Sequence, residues 1–370
     1  MKTYRVGLLG FGFIGKVHAF AHRNLPLYFD PLPFRCKIAK VATAHPESAR
    51  AAERQLGDGV VGTTDWLDVV NDPDIDVIDI CTPNDDHLPA LIPAMERQLP
   101  IYCEKPLLGN DESQIGSFQA ALAHYRAVSQ MTLIYRFFPN VLRAIELVQE
   151  GRIGEILQFQ ASFLHSGSVD PNAPGGWKIA AGVIADLGSH VLDLVEQLTG
   201  PFASIQARTH RAYGRRPRKG APSEMLAIDA EDSMVCLVTL PNGACGTISA
   251  SKIATGCEDE MFVEIYGTRG ALRIRPMNIS QLEFFDQAVP EGTYGGSRGW
   301  LTINCGQRYP KPAGFPTAKS LPGWLRGHVQ CLYNFMNGVH TGTAVHPDLH
   351  DGLHLQKIMQ MVRQPLPLTR

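Results

Sequence analysis

The sequence predicts two domains: an α/β Rossmann domain built on a doubly wound parallel sheet, then an α+β domain with a large, mostly antiparallel open sheet. Three observations carry this expectation. Short β-branched runs alternate with helically spaced apolar residues from Tyr4 to about Arg136, a glycine-rich turn follows the first of those runs, and long alternating runs dominate after Arg136. At 370 residues and 44% apolar content, the chain exceeds one ordinary hydrophobic core and has material for two. The division is expected at 1–136 and 137–370.

In the first domain, strands are expected at Tyr4–Leu9, Cys36–Ala42, Val77–Cys81, Ile101–Cys103 and Val128–Ile134. Between them Phe13–Arg23, Pro46–Leu56, Leu88–Arg97 and Asp111–His124 carry helical spacing of apolar residues. In the second domain, helices are expected at Asn140–Glu150 and around Gly188–Leu198. Strands are expected there at Ile156–Leu164, Ile205–Ala212, Ser233–Leu240, Gly246–Lys252, Phe262–Tyr266 and Ala271–Arg275. The stretches Gly214–Ser223 and Val289–Gly323, rich in Gly, Pro and polar residues, read as loops. The basic cluster Arg208, Arg211, Arg215, Arg216, Arg218 and Lys219 reads as a solvated strand end and loop, with phosphate binding as a minority reading.

A net charge of -2, from 34 basic and 36 acidic residues, gives no electrostatic footprint for nucleic acid or an anionic membrane, and points to a small-molecule partner. No apolar run reaches the roughly 18 to 20 residues needed to span a bilayer. The first residues lead directly into a strand instead of a signal-peptide core, so a cytoplasmic protein is expected. The eight cysteines are dispersed without a C-x-x-C pair and read as reduced core or filler residues, neither zinc ligands nor a disulfide frame.

The strand Val6-Gly7-Leu8-Leu9 runs into Gly10-Phe11-Gly12-Phe13-Ile14-Gly15, and a helix follows. This is the G-x-G-x-x-G pattern in a strand–turn–helix setting. Gly10 permits the tight turn, Gly12 lets backbone approach a pyrophosphate, Gly15 allows close helix–strand packing, and the helix N-terminus receives the negative charge. An acidic residue is expected after the second strand to hold the adenosine ribose, but Thr43 stands there. Without that carboxylate nothing repels a 2′-phosphate, and His45 and Arg50 are near in sequence. The cofactor expectation is therefore NAD or NADP, with NADP slightly favoured.

Two further constellations carry chemistry. Glu104-Lys105-Pro106 follows an apolar strand at the carboxyl edge of the sheet, where ligands bind in doubly wound folds. Lys105 there is either a hydrogen-bond donor to a reacting oxygen or a surface lysine paired with Glu104. Asp186 and His190 lie four apart, which puts both on one helix face. A carboxylate that orients an imidazole and supports its protonated form is what a general base needs. The alternative is Asp186 as a helix N-cap and His190 as a core histidine.

The ordered set resembles the Gfo/Idh/MocA oxidoreductases, which include inositol dehydrogenases and glucose-fructose oxidoreductase. It comprises the glycine loop with His18, then Asp76-Val77-Ile78-Asp79-Ile80-Cys81-Thr82-Pro83-Asn84 with His87, and Glu104-Lys105-Pro106. Tyr135-Arg136-Phe137, Asp186-x-Gly188-x-His190-x-x-Asp193 and Tyr266-Gly267-Thr268-Arg269-Gly270 complete it. The resemblance covers nearly the whole chain. It implies a catalytic trio: Lys105 on the substrate oxygen, His190 as proton acceptor, and Asp186 on a neighbouring hydroxyl or on His190. Thr82, Pro83, Asn84 and His87 would line the nicotinamide-side ribose with Glu104 and Arg136 nearby, and His165, Trp177 and Lys178 would face the substrate. The chain departs from the family pattern at Thr43, in its longer Leu27–Arg35 connection, and in having Trp177-Lys178 where Trp-Arg is common.

The resemblance further implies hydride transfer between a secondary alcohol of a sugar, polyol or cyclitol and a nicotinamide. No metal is required, and a homodimer or homotetramer is expected to form through the second-domain sheet. Two rivals stand beside this: a redox-neutral epimerase or eliminase holding its cofactor tightly, and a non-catalytic sensor that regulates a partner.

Overall fold

The computed structural model describes residues 1–174 and 176–364, apart from the side chains of Trp177 and Lys178. The first part of the chain runs β1 (Lys2–Leu9), α1 (Phe13–Tyr28), β2 (Phe34–Ala42), α2 (Pro46–Leu56), β3 (Val61–Thr63), α3 (Trp66–Val70), β4 (Val77–Ile80), α4 (His87–Glu96), β5 (Ile101–Cys103), α5 (Gln114–His124) and β6 (Ser129–Met131). The six strands form one sheet in the order β3-β2-β1-β4-β5-β6, every pairing parallel. The expected doubly wound sheet is therefore present. Its strand order reverses between β1 and β4, the crevice where such folds bind ligands. The short elements β3 and α3 went unread because three and five residues are too few to show a period. The strand expected at Val128–Ile134 ends at Met131, and the chain turns into a 3-10 segment at Ile134–Phe137.

The second part runs α6 (Pro139–Gln149), β7 (Ile156–Leu164), α7 (Trp177–Val183), a π-type turn at Ile184–Gly188, α8 (Ser189–Thr199), β8 (Ser204–His210), β9 (Arg215–Arg218), β10 (Ala221–Ala227), β11 (Ser233–Thr239), β12 (Cys245–Ser251), β13 (Glu260–Gly267), β14 (Gly270–Ile274), β15 (Gln281–Asp286) and β16 (Trp300–Asn304). An eight-stranded sheet is ordered β16-β15-β14-β13-β7-β12-β11-β8, antiparallel throughout except for β7 beside β12. Alternation puts Phe159, Phe163, Met234, Cys236, Ile248 and Val263 on the buried face, against which α6 and α8 pack. Gln160, Val235, Leu237 and Thr247 lie on the other, open face.

Two stretches expected to be loops contain strands, β9 and β10 in one and β16 in the other. Arg216 also departs from the solvated reading of its basic cluster. It is fully buried, its guanidinium donates to the carbonyls of Asp170 and Ser168 at 2.6 Å each, and it stacks on Tyr213. Two backbone carbonyls, the ring face and the Asp232 carboxylate 3.9 Å away offset part of the cost of burying this planar cation. Arg211 and Arg218 do pair on the surface, with Asp229 and Glu224.

After β16 come α9 (Trp324–Thr341) and α10 (Leu349–Arg363). Two compact units result. One is Met1–Phe137 with Tyr309–Ala318 and Gly323–Gln356, and the other is Phe138–Arg308 with Lys319–Pro322 and the chain from Lys357. The single cut expected after Arg136 misses this return, because α9 packs on α1 and covers the parallel sheet. Gln130 Nε2 donates to the Cys331 carbonyl, Asn334 Nδ2 donates to Gln130 Oε1, and buried Arg326 lies 3.9 Å above the Tyr309 ring. Among the described residues no helix is long and apolar enough to cross a membrane. All eight cysteines are free thiols.

Candidate active site

The turn after β1 is shaped by close approach. Gly10 has φ +94°, and a Cβ there would lie 2.6 Å from the Cys81 carbonyl oxygen at the end of β4. A Cβ on Gly15 would come within 2.2 Å of the Gly10 carbonyl oxygen. Both positions exclude any side chain on the protein's own account. Gly12 differs: it caps α1 in extended conformation, and a Cβ there would meet nothing within 4 Å. The open space in front of Gly12, at a helix N-terminus with no acidic residue in its first turn, suits a pyrophosphate. Phe11 is buried, Ile14 half-buried and Phe13 exposed; Phe13 stacks on Trp324. The residues present therefore fit a dinucleotide.

Across the strand-order reversal, β4 ends in Cys81-Thr82-Pro83-Asn84. Pro83 is exposed, so this turn forms the opposite lip of the crevice. His87 is fully buried between the carbonyls of Thr82, 3.0 Å from Nε2, and Leu107, 3.1 Å from Nδ1. Its imidazole pKa is pushed down by burial. His87 thus braces the lip instead of presenting a ring to a ribose. Thr43, at the end of β2, is buried, and its hydroxyl donates to the His45 carbonyl at 2.9 Å.

Beneath the glycine loop lies a buried charge cluster. His18 donates from Nδ1 to Asp79 Oδ1 at 2.7 Å and from Nε2 to Glu104 Oε1 at 3.1 Å, and His22 Nε2 donates to Asp79 Oδ2 at 2.9 Å. Burial alone would lower the His18 pKa, but the Asp79 carboxylate and the Cys81 thiol hold it well above its usual value. Burial likewise works against the carboxylates, yet His18 and His22 hold Asp79 below the ordinary range, and His18, His328 and Lys105 do so for Glu104. The same surroundings push His328 down to about 3, burial first and the His18 cation second. Glu104 Oε2 accepts the Lys105 backbone N–H at 3.1 Å. Glu104 thereby links the backbone of Lys105, half-buried just past the carboxyl end of β5, to His18 in the cluster under the loop. Arg136 is half-buried in the 3-10 segment, and its charge is among those that keep Asp351 ionised despite burial. Asp79 was detectable from sequence as a carboxylate inside an apolar strand, which demands partners.

In the other unit, Asp186 sits within the π-type turn and His190 in the first turn of α8. Gly188 caps α8, so the N-cap reading of Asp186 does not hold. Wide turns of this kind recur at functional sites. The turn is pinned from one side: Glu231 Oε1 accepts the Ile184 N–H at 3.0 Å, and the Glu231 carbonyl accepts the Val183 N–H at 2.9 Å. His190 is 8% exposed beside Phe163, and Asp193 is buried. Asp186 Oδ2 lies 3.4 Å from Lys252 Nζ, a neighbour that sequence reasoning missed because a lysine ending a strand looks like any surface lysine. His165 directly follows β7, and its Nδ1 accepts the Gly167 N–H at 3.0 Å. Trp177 and Lys178 begin α7, and their side chains lie outside the described residues.

Known proteins agree with this architecture. The NAD-binding Rossmann-fold domain of the oxidoreductase family matches residues 4–131, and the GFO/IDH/MocA C-terminal domain matches residues 141–273. The chain belongs to the GFO/IDH/MocA oxidoreductase family. This GFO/IDH/MocA protein is 30% identical over 375 residues to levoglucosan dehydrogenase of Pseudarthrobacter phenanthrenivorans, covering 97% of this chain and 95% of that one. It is 27% identical over 242 residues to inositol 2-dehydrogenase 4 of Saccharopolyspora erythraea, covering 65% of this chain and 67% of that one. Levoglucosan dehydrogenase solved in complex with NADH and levoglucosan superposes with a TM-score of 0.90 at 29% identity, covering 97% of this chain and 96% of that one. The chain is accordingly an NAD-binding oxidoreductase of the dehydrogenase type, as its glycine loop and ordered motifs imply.

Proposed function

We propose that this enzyme transfers a hydride between a secondary alcohol of a sugar, polyol or cyclitol and a nicotinamide dinucleotide. The observation that carries the reading is Lys105, held through Glu104 at the same carboxyl edge of the parallel sheet as the dinucleotide cradle. The full-length similarity to a levoglucosan dehydrogenase supports a carbohydrate-like substrate. The bound dinucleotide supplies the hydride acceptor. Lys105 donates a hydrogen bond to the reacting oxygen and stabilises the charge that develops there, while His190 takes the hydroxyl proton. Asp186 binds a neighbouring hydroxyl or orients the imidazole, and His165, Trp177 and Lys178 contact the substrate.

For the dinucleotide the reading is NAD(H). The Thr43 hydroxyl commits its proton to the His45 carbonyl, so its oxygen offers acceptors, which suit ribose hydroxyls and not a 2′-phosphate. Levoglucosan dehydrogenase, solved with NADH, supports the same choice over the NADP leaning that the missing carboxylate suggested. The test is a screen of levoglucosan, inositols, polyols and sugar acids against both dinucleotides, with K105M and H190Q alongside. Turnover is expected with NAD(H) at a KM at least tenfold below that for NADP(H). K105M is expected to lose at least 1,000-fold in kcat, the scale of about 4 kcal/mol, while still binding dinucleotide. Retained turnover in K105M sinks the assignment. Conversion without added cofactor would point to a redox-neutral cycle, and cofactor binding with no active sugar to a sensor.

A further inference from the structure

We propose that Lys252 is a positioning residue for proton transfer: its buried ammonium holds Asp186 as an aligned carboxylate and so sets the pH range in which His190 works. The inference rests on the reading of Asp186 and His190 given above. Three observations carry it. Lys252 Nζ lies 3.4 Å from Asp186 Oδ2, with the two side chains 4% and 12% exposed, so this is an enclosed pair and not a surface one. The Lys252 backbone is fixed on both sides, since its N–H donates to the Asp232 carbonyl at 2.9 Å and its carbonyl accepts the Ser168 N–H at 2.9 Å. The turn that carries Asp186 is held independently by Glu231, and Gly182 enters it at φ +80°, where a Cβ would lie 2.4 Å from the Glu231 carboxylate. Both ends of the pair are thus set by backbone.

Burying a lysine is costly, and an apolar residue would fill a strand end without that cost. A charge placed at this cost beside Asp186 has an electrostatic consequence. Among the described side chains, the titratable groups on the elements packed against the turn are His190, Asp193 and Glu196 on α8, His165 just after β7, Glu231 and Asp232 leading into β11, and Lys252 just after β12; α7 adds Lys178, whose side chain lies outside the described residues. Carboxylates outnumber fixed cations in that set, and Lys252 is the cation the structure places on Asp186. Removing it makes the surroundings more negative. Proton binding then becomes easier at both Asp186 and His190, so both titrations move toward higher pH.

The test uses full-length enzyme labelled with 13C at histidine, the His190 signal being assigned by its loss in H190Q. In K252M and K252Q the His190 midpoint is expected to rise by on the order of one pH unit. The acid limb of kcat/KM, on the sugar or polyol found in the screen, is expected to rise with it, and kcat to fall at least tenfold. K252R is expected to restore both. Unmoved His190 midpoints in the neutral variants overturn the inference. So does a pattern in which only K252R folds, since Lys252 would then be a structural pin. If instead H190Q turns over like the parent enzyme, the reading of His190 as base fails, whatever Lys252 does. An inactive H190Q with an unshifted midpoint in K252M removes the Lys252 inference alone.

Discussion

Gly12 and Gly15 look alike in the motif but are constrained by different things. Gly15 is closed to a side chain by the protein itself, with a Cβ 2.2 Å from the Gly10 carbonyl oxygen, whereas Gly12 faces open space. Gly15→Ala is therefore expected to cost about 1–3 kcal/mol of stability, the scale of overpacking, and to weaken dinucleotide binding as the loop shifts. Gly12→Ala is expected to melt with the parent protein while its dinucleotide Kd rises at least tenfold in calorimetry. Parent-like affinity in Gly12→Ala would mean that no pyrophosphate approaches that backbone. The positions of Gly10, Gly12 and Gly15 were legible in the sequence because spacing after a strand encodes them. Lys252 was not, because no local pattern separates a lysine folded against Asp186 from one in solvent.

Among the elements, α1, β4 and β5 meet through His18, Asp79 and Glu104, and this junction makes stability depend on pH. The folded His18 pKa lies well above its usual value. Its contribution is therefore complete below about pH 6.5 and is lost as pH rises through the folded value. The lowered carboxylates act oppositely, contributing above about pH 4.5 and losing stability as pH falls through their folded values. Together they favour the window between. His18→Gln is expected to remove about 3–5 kcal/mol at pH 6, the scale of breaking a buried pair, and to flatten the decline in melting temperature between pH 6.5 and 9. An unchanged slope would assign that decline to other groups. Most long elements were legible from hydrophobic period, but the π-type turn was not. Its start is held by Glu231, distant in sequence, which accepts the Val183 and Ile184 N–H groups.

For the whole molecule, the open face of the eight-stranded sheet exposes Val235 at 54% and Leu237 at 61%, beside a polar network in which Glu264 accepts from Tyr266, Gln160 and Arg273. Apolar side chains on an otherwise ordered sheet face suit association with a second copy. We propose a homodimer or homotetramer joined there. Light scattering at micromolar concentration is expected to give a multiple of the 40.6 kDa chain. The double variant V235D/L237D is expected to lower that mass, and a monomeric parent protein would refute the proposal.

By itself the sequence determined the doubly wound parallel sheet, the glycine cradle after its first strand, the antiparallel character of the second part and the order of the family motifs. All of these are local in the chain, where period, turn chemistry and spacing are written. The tertiary structure alone decided the return of α9 onto the parallel sheet, the burial of Arg216, the charge cluster beneath the cradle and the pairing of Asp186 with Lys252. Each joins residues far apart in sequence, and their partners are chosen by packing and by the cost of leaving a buried charge unmatched, neither of which a single stretch of chain can express.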